Sequence, residues 1–563
     1  MEDRKLNRRR FLHGAAISSA AAVVAACKPQ VVVETVVQEI ERVVKETVII
    51  EGESKVVEKV VKETVIVEKE AARTGFQGTI EHFAQAYTPL SADTNPDPNA
   101  PKREALDLLA AEWMDMHPGV TMKFMSAPTG TYTDWINTQL VGGTGPDIFW
   151  LWLGSLHGWA DDGKTVVIND YLKLPNKYTP SDEPWEQTFL DPFLESYSVK
   201  GNFGGVPMDL VSTGIYTNRD LLEQAGIDFD AELNEELGSP DSWAVLMEWM
   251  EKLQAIGVIP ITMDGSNSFA WFWRNLADQL GEVWLEELDV LNYHEGTPIW
   301  RQEGFMSQEE QQHGWWCKDW NVWEREETRE MYRIYKDWTQ YFQLNWQGEG
   351  GAQKYDLFVT GQAAMTWDGS WQIGPLLQDD RRDFEMVSFF VPPITKETTP
   401  VAQDPPVLPI GLGGYGSIAY GLNHMTVKRN NVEECIDWLM FLTTPLHCEM
   451  VVNEVPSFVP AVVGTKALPE IENLFVGEER LQRGSHPVRS FEYIFGYAES
   501  KYNDLWKRET ELYFLDQQSL DETMTNLVDI CWQQAPADIR AAAIQYSEDG
   551  NWDLTQWECN PDV

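Results

Sequence analysis

The chain has 563 residues, 43% of them hydrophobic and 23% charged, which allows two large lobes or several domains with substantial cores and excludes wholesale disorder. Its 43 Lys and Arg against 89 Asp and Glu leave a formal charge of −46, and a surface that acidic repels phosphate backbones and argues against nucleic acid as a partner. The 25 Trp are many for this length; an indole in a groove suits the apolar face of a sugar, although most Trp in any fold are core.

The N-terminus carries Arg8-Arg9-Arg10-Phe11-Leu12, then the apolar run Gly14–Ala26, then Cys27. The run is too short for a spanning helix, which needs ~20 residues. Arg8–Leu12 resembles the twin-arginine export motif, and Val24-Ala25-Ala26-Cys27 resembles a lipobox. Residues 1–27 are therefore expected to be an export signal, with Cys27 lipidated and serving as the anchor on the extracytoplasmic side of a cell membrane. Residues 28–75 are almost all Val, Ile, Glu, Lys and Thr, with VVKETVI at Val43–Ile49 and again at Val60–Ile66. Apolar and charged pairs alternate there with neither a strand nor a helix period, so the segment reads as a low-complexity tether. A coiled or β-paired oligomer is the lesser alternative. Once Cys27 is lipidated five cysteines remain, none in a CxxC pair; Cys435 and Cys448 are a plausible disulfide by proximity.

From residue 79 strands and helices alternate. Thr79–Ala86 reads as a strand, Asn99-Ala100-Pro101 as a helix start, and Leu106, Leu109, Ala110, Trp113 and Met114 as that helix's buried face. Val120–Met125 is the next strand, Thr133–Val141 a second helix and Ile148–Leu153 a third strand. This β-α-β-α-β rhythm predicts an α/β fold with a parallel sheet, whose ligand loops lie at the C-terminal strand ends. Asp93, Asn95, Asp97, Asn99 and Glu104 have calcium-loop spacing, but Pro98 replaces the central Gly and the cluster reads as turn chemistry. His313 and Cys317 are i, i+4 without a third ligand, so no metal and no cofactor is expected. Near the C-terminus Ser519-Leu520-Asp521-Glu522 opens a helix with Met524, Leu527, Val528 and Cys531 on its buried face.

The motifs within this pattern resemble one family in order. They are Gly145-Pro146-Asp147-Ile148-Phe149, Gly204-Gly205-Val206-Pro207, Ile215-Tyr216-Thr217-Asn218-Arg219-Asp220-Leu221 through Ala225-Gly226-Ile227, Pro240-Asp241-Ser242-Trp243, Gly361-Gln362-Ala363-Ala364-Met365 with Asp368-Gly369-Ser370-Trp371, and the helix Ile436–Thr443. Over about 78–535 the chain is similar to the extracellular solute-binding proteins of ABC transporters, the sugar-binding, maltose-binding-protein-like family 1. The resemblance implies a two-lobed periplasmic-binding-protein-like (type II) fold, with 76–210 and 412–490 in the first lobe and 214–405 and 491–563 in the second. Gly204–Pro207 and Gly411–Gly416 would be the crossings between lobes.

It further implies a monomeric receptor that closes on a carbohydrate or related polyol and delivers it to the transmembrane subunits of an ABC permease. Candidate ligand residues carried over by position are Trp152 and Ser155 after the third strand, Trp371 as the stacking indole of the second lobe, and Trp271 and Trp273, one facing ligand and the other core. Asp209 is a candidate hydroxyl acceptor, and Asn267 and Tyr415 are further contacts. Leu151 stands where maltose binders carry Trp, so the ligand is expected to differ in detail. Trp320 and Trp323, in an insertion from about Val283 onward, read as core. No HExxH or GxSxG motif is present. A surface carbohydrate-active hydrolase or a carbohydrate-binding adhesion protein is the alternative.

Overall fold

The computed structural model describes the backbone of 33–50, 53–70 and 413–415. With side chains it describes most of 76–90, 103–126, 132–151, 163–190, 202–265, 267–281, 320–348, 350–406, 418–474 and 500–534, with isolated residues between them. The chain divides into two compact units, Met1–Gln77 and Gly78–Val563.

In the first unit, β1 (Val33–Ile50) and β2 (Glu53–Glu70) form one antiparallel hairpin, with Val33 paired to Glu70 and Ile50 to Glu53. The β-branched composition that disfavours helix favours this pairing. The register sets Glu34 opposite Lys69, Glu41 opposite Lys62 and Lys45 opposite Glu58. The ordered pairing within one chain differs from the irregular tether that the alternation suggests.

The second unit holds two main sheets. In the first, β3 (Gly78–His82), β4 (Val120–Phe124) and β5 (Ile148–Trp150) are parallel, linked by α1 (Ala105–Met116) and α2 (Tyr132–Gly142). The predicted rhythm is present, with boundaries moved by a few residues. Two further strands, β6 (Gly205–Pro207) and β12 (Ala419–Leu422), complete the order β4-β3-β5-β12-β6, with β12 antiparallel to both neighbours. The expected helix start at Asn99 lies outside the described residues. Helix α1 begins at Ala105, and its cap comes from far away: the Glu454 carboxylate accepts the Glu104 and Ala105 backbone N–H groups at 2.6 and 3.0 Å. An anion at the positive end of a helix dipole is a stabilising cap.

The second sheet is organised on β7 (Asp209–Asn218). Strands β8 (Ile259–Thr262), β9 (Ala363–Gly369) and β10 (Met386–Phe389) give the order β8-β9-β7-β10. The N-terminal half of β7 instead pairs with β11 (Gly413–Tyr415) and β13 (Val459–Pro460). The chain thus passes from β6 in the first sheet straight into β7 of the second, and returns from β11 into β12. Helices α3 (Arg219–Gln224), α4 (Trp243–Ala255), α5 (Asn267–Leu280), α6 (Glu326–Thr339) and α7 (Ala352–Val359) accompany this sheet. Asn218 and Ser242 cap α3 and α4 through their side chains. Gly361, at φ +68°, closes α7 and turns the chain into the wholly buried strand β9.

After the short helix α8 (Met425–Arg429), helices α9 (Val432–Leu442) and α10 (Pro445–Glu454) are largely buried, and Trp438 of α9 packs on His82 and Phe124 of the first sheet. Among the described residues no single helix is long and apolar enough to cross a membrane. Following α11 (Ser500–Phe514), helix α12 (Leu520–Asp529) starts as expected: Ser519 and Glu522 form a reciprocal capping box, and Met524 and Leu527 are buried. Cys435 on α9 and Cys448 on α10 are both free, buried thiols, which corrects the pairing suggested by their spacing. Cys317 is disulfide-bonded, with its sulfur 3.4 Å from His313 Nε2.

Candidate functional site

The turn after β9 and the helix α5 carry the aromatic residues that matter. Strand β9 ends at Gly369, where an added Cβ would lie 2.3 Å from the Trp371 ring. Only glycine lets that indole fold onto the backbone. Trp371 is half-buried, and its ring centroid is 5.6 Å from that of Trp271 on α5 in an edge-to-face arrangement. Trp271 also meets Trp367 at 6.3 Å. Ser457 Oγ donates to the Trp371 carbonyl at 3.3 Å, and Ser370 Oγ accepts from Ser212 N at 3.4 Å, so this turn is held by β7 and by the segment before β13.

A buried ionic group lies behind the pair. Lys354 Nζ, on α7, reaches Asp264 Oδ2 at 2.6 Å, Asp368 Oδ2 at 2.9 Å and the Trp367 carbonyl at 3.0 Å. The Lys354 and Asp264 side chains are each 3% exposed. Burial works against the ammonium charge, but the two carboxylates outweigh it and hold Lys354 above the ordinary lysine pKa. Burial pushes the Asp368 carboxyl up against the pull of Lys354. Asp368 Oδ1 accepts the Gly369 N–H at 2.8 Å.

A second aromatic group stands on the first sheet. Phe83 follows β3 directly, Tyr132 and Trp135 open α2, and Trp150 ends β5. The Phe83 and Tyr132 rings stack at 5.2 Å, and Tyr132 and Trp150 lie 4.8 Å apart. The Tyr132 hydroxyl donates to the Trp150 carbonyl. Tyr132, Trp135 and Trp150 are half-buried at the C-terminal ends of parallel strands, where α/β sheets bind ligands. Tyr132 and Trp135 fall at the predicted helix start, but Phe83 and Trp150 fall inside the predicted strands Thr79–Ala86 and Ile148–Leu153, and the observed strands end earlier, at His82 and Trp150.

The structure separates the two tryptophans of α5. Trp273 is fully buried, 4.5 Å from Tyr332 and 5.2 Å from Tyr335, and belongs to the core. Trp271 is 8% exposed and faces Trp371. Trp320 and Trp323 are buried, as expected of core. Asp209 is fully buried at the start of β7; Tyr87 Oη donates to its Oδ2 at 2.5 Å and the Ile418 N–H to its Oδ1 at 2.9 Å. Both oxygens are engaged within the protein, at the point where the chain crosses between sheets. Asn267 is the first residue of α5 and Tyr415 the last of β11. Trp152, Ser155, Cys27 and the calcium-like segment up to Asn99 lie outside the described residues. A small cavity between β7 and β10, lined by Ser212, Tyr216, Ser388 and Phe390 among others, is water-sized and too small for a sugar ring.

Comparison with known proteins gives this arrangement a context. A protein of Brucella abortus (strain 2308), binding protein BAB2_0491, is 23% identical over 141 residues, which is 25% of this chain and 30% of that relative, so the match spans under a third of the relative's length. Among solved structures, a chitin oligosaccharide binding protein superposes at a TM-score of 0.51 with 18% identity, covering 82% of this chain and 99% of its own. RafE of Streptococcus pneumoniae, in its apo form, superposes at 0.53 with 18% identity and coverage of 82% and 99%. RafE in complex with raffinose superposes at 0.51 with 16% identity, covering 81% of this chain and 99% of its own. These likenesses establish the two-lobed α/β fold of the periplasmic solute-binding proteins. Residues 98–441 match the family described as bacterial extracellular solute-binding protein, and with more than half of its length inside that match this chain belongs to the bacterial extracellular solute-binding proteins.

Proposed function

We propose that this protein captures a carbohydrate or related polyol between its two lobes and delivers it, unaltered, to the transmembrane subunits of an ABC importer. The observation that carries this reading is the Trp271–Trp371 pair, a half-exposed indole set edge-to-face on a second one at the end of a buried strand. An indole face accepts the C–H face of a pyranose, while the ring's hydroxyls bond to polar side chains and backbone groups. The half-buried Tyr132, Trp135 and Trp150 supply a matching wall on the first lobe. Trp152, Ser155, Asn267 and Tyr415 complete the proposed contacts. Trp273 and Asp209 support the site from inside the protein, since one is core and the other is fully engaged by Tyr87 and Ile418.

In this reading the receptor is a monomer, held to the extracytoplasmic face of the membrane by lipid on Cys27, and it turns nothing over. A thermal-shift and calorimetric series with raffinose, chitin oligosaccharides and maltose tests it. A sugar that binds only the native state raises the melting temperature. The same sugar must be recovered intact after prolonged incubation. Hydrolysis would overturn the receptor reading in favour of an enzyme, and absence of binding to any glycan would overturn the carbohydrate assignment. A Cys27→Ala chain released from the membrane fraction would support the lipid anchor.

A further inference from the structure

We propose that Lys354 is a positioning residue for ligand capture: its ammonium ties the loop that leads into α5 to the end of β9, and so fixes the Trp271 and Trp371 rings against each other. The inference rests on the carbohydrate reading for its consequence, but its geometry stands apart from it. Asp264 lies three residues before α5, which carries Trp271; Asp368 lies three residues before Trp371. Among the described residues, Lys354 Nζ donates to Asp264, to Asp368 and to the Trp367 carbonyl. The two segments are far apart in sequence and belong to different elements, and this one buried ammonium bonds to both.

The grip continues to the rings. The Asp368 carboxylate, with one oxygen on Lys354, uses the other to accept the Gly369 N–H. Gly369 is the residue on which the Trp371 indole rests. On the other side, Met263 is fixed by Gln343, which accepts its N–H at 3.0 Å and donates to its carbonyl at 2.6 Å. Removing the ammonium leaves two buried carboxylates without their cation, and the two segments lose their common partner. A binding wall must be held within about half an ångström by the residues behind it to keep its affinity.

The test uses the full chain labelled with 5-fluorotryptophan, free of ligand, with the Trp371 and Trp271 fluorine resonances assigned by their loss in Trp371→Phe and Trp271→Phe. Lys354→Met is expected to shift or broaden both resonances and to weaken raffinose binding about tenfold or more. Leu140→Ala, in the separate core of the first lobe, serves as a control that lowers the melting temperature without moving them. Asp264→Asn, which removes one charge and keeps an acceptor, is expected to move the Trp271 resonance more than the Trp371 resonance. It decides the matter if Lys354→Met does not fold. Unmoved resonances in the folded variants would overturn the proposal and leave Lys354 a stabiliser only. If the wild-type chain binds no raffinose, chitin oligosaccharide or maltose, the carbohydrate reading fails, while the fluorine spectra still decide whether Lys354 positions the rings.

Discussion

Tyr87 Oη donates a 2.5 Å hydrogen bond to Asp209 Oδ2 where the chain crosses from the first sheet to the second, and both side chains are out of solvent's reach. Burial, reinforced by the neighbouring Asp209 charge, pushes the Tyr87 hydroxyl well above the ordinary tyrosine pKa, so it remains a donor at any physiological pH. The other Asp209 oxygen takes the Ile418 N–H from the returning strand. One carboxylate thus joins the loop after β3, the outgoing crossing and the returning one.

Tyr87→Phe removes a hydrogen bond to a buried charged group and nothing else of comparable size. We expect a loss of about 2 kcal/mol in unfolding free energy, read from the midpoint of a urea titration. An unchanged midpoint would show that the bond contributes nothing net.

Trp371→Ala and Trp273→Ala separate ligand contact from packing. Trp371 is half-buried, so its truncation should weaken glycan binding by about tenfold to a hundredfold, a loss of ~1.4–2.8 kcal/mol, with a small change in melting temperature. Trp273 is fully buried among Tyr332, Tyr335 and Phe514, so its truncation should cost about 3–5 kcal/mol of stability. Calorimetry and thermal melts on the same samples distinguish the two. Equal loss of affinity at equal melting temperature would contradict the assignment of Trp273 to the core.

His82 makes stability depend on pH in a predictable direction. It is fully buried among Phe124, Tyr420 and Trp438, and its Nδ1 accepts from Trp438 Nε1 at 3.2 Å. Burial lowers its pKa from 6.5 to about 3. The unfolded chain therefore binds a proton between these values and the folded chain does not. The stabilisation is fully present above pH 6.5 and is lost as the pH falls below it. Between pH 7 and pH 5 this group alone should cost about 2 kcal/mol. His82→Gln, which keeps an acceptor for Trp438, should flatten the pH dependence by that amount.

Cys435 and Cys448 should alkylate together, and only after unfolding, when the chain is denatured without reductant. Burial raises both thiols above the ordinary cysteine pKa, so neither is reactive in the native state. Mass spectrometry of the labelled peptides checks this; an unlabelled Cys435–Cys448 peptide pair would restore the disulfide expected from sequence.

What was legible in the sequence was what local chemistry encodes. The Ser519 capping box, the Asn218 and Ser242 caps, the turn at Gly361 and the approach of Trp371 over Gly369 all follow from residues within a few positions of one another. The α1 cap was not legible, because the carboxylate that satisfies it belongs to Glu454, and no local pattern announces a partner 350 residues away. Lys354 reads in sequence as an ordinary polar position of a short helix; only the packing of β8 and β9 against α7 encloses it with two acids. The choice between Trp271 and Trp273 likewise depends on which face of α5 meets α6, a tertiary fact. Tyr132 and Trp135 stand at the predicted helix start, but Trp150 falls inside a strand read as running to Leu153, so its grouping with them depends on where that strand ends in the fold.

Strand β12 lies between β5 and β6 in the first sheet, yet it is written at Ala419–Leu422, after nearly the whole second sheet. As the polypeptide emerges from the ribosome, β3, β4 and β5 therefore wait with one edge open until that late segment arrives. A nascent chain cut short before residue 419 cannot close its earliest sheet. Closure of the first sheet therefore waits for that segment, and any chaperone that meets the chain earlier meets an exposed β5 edge.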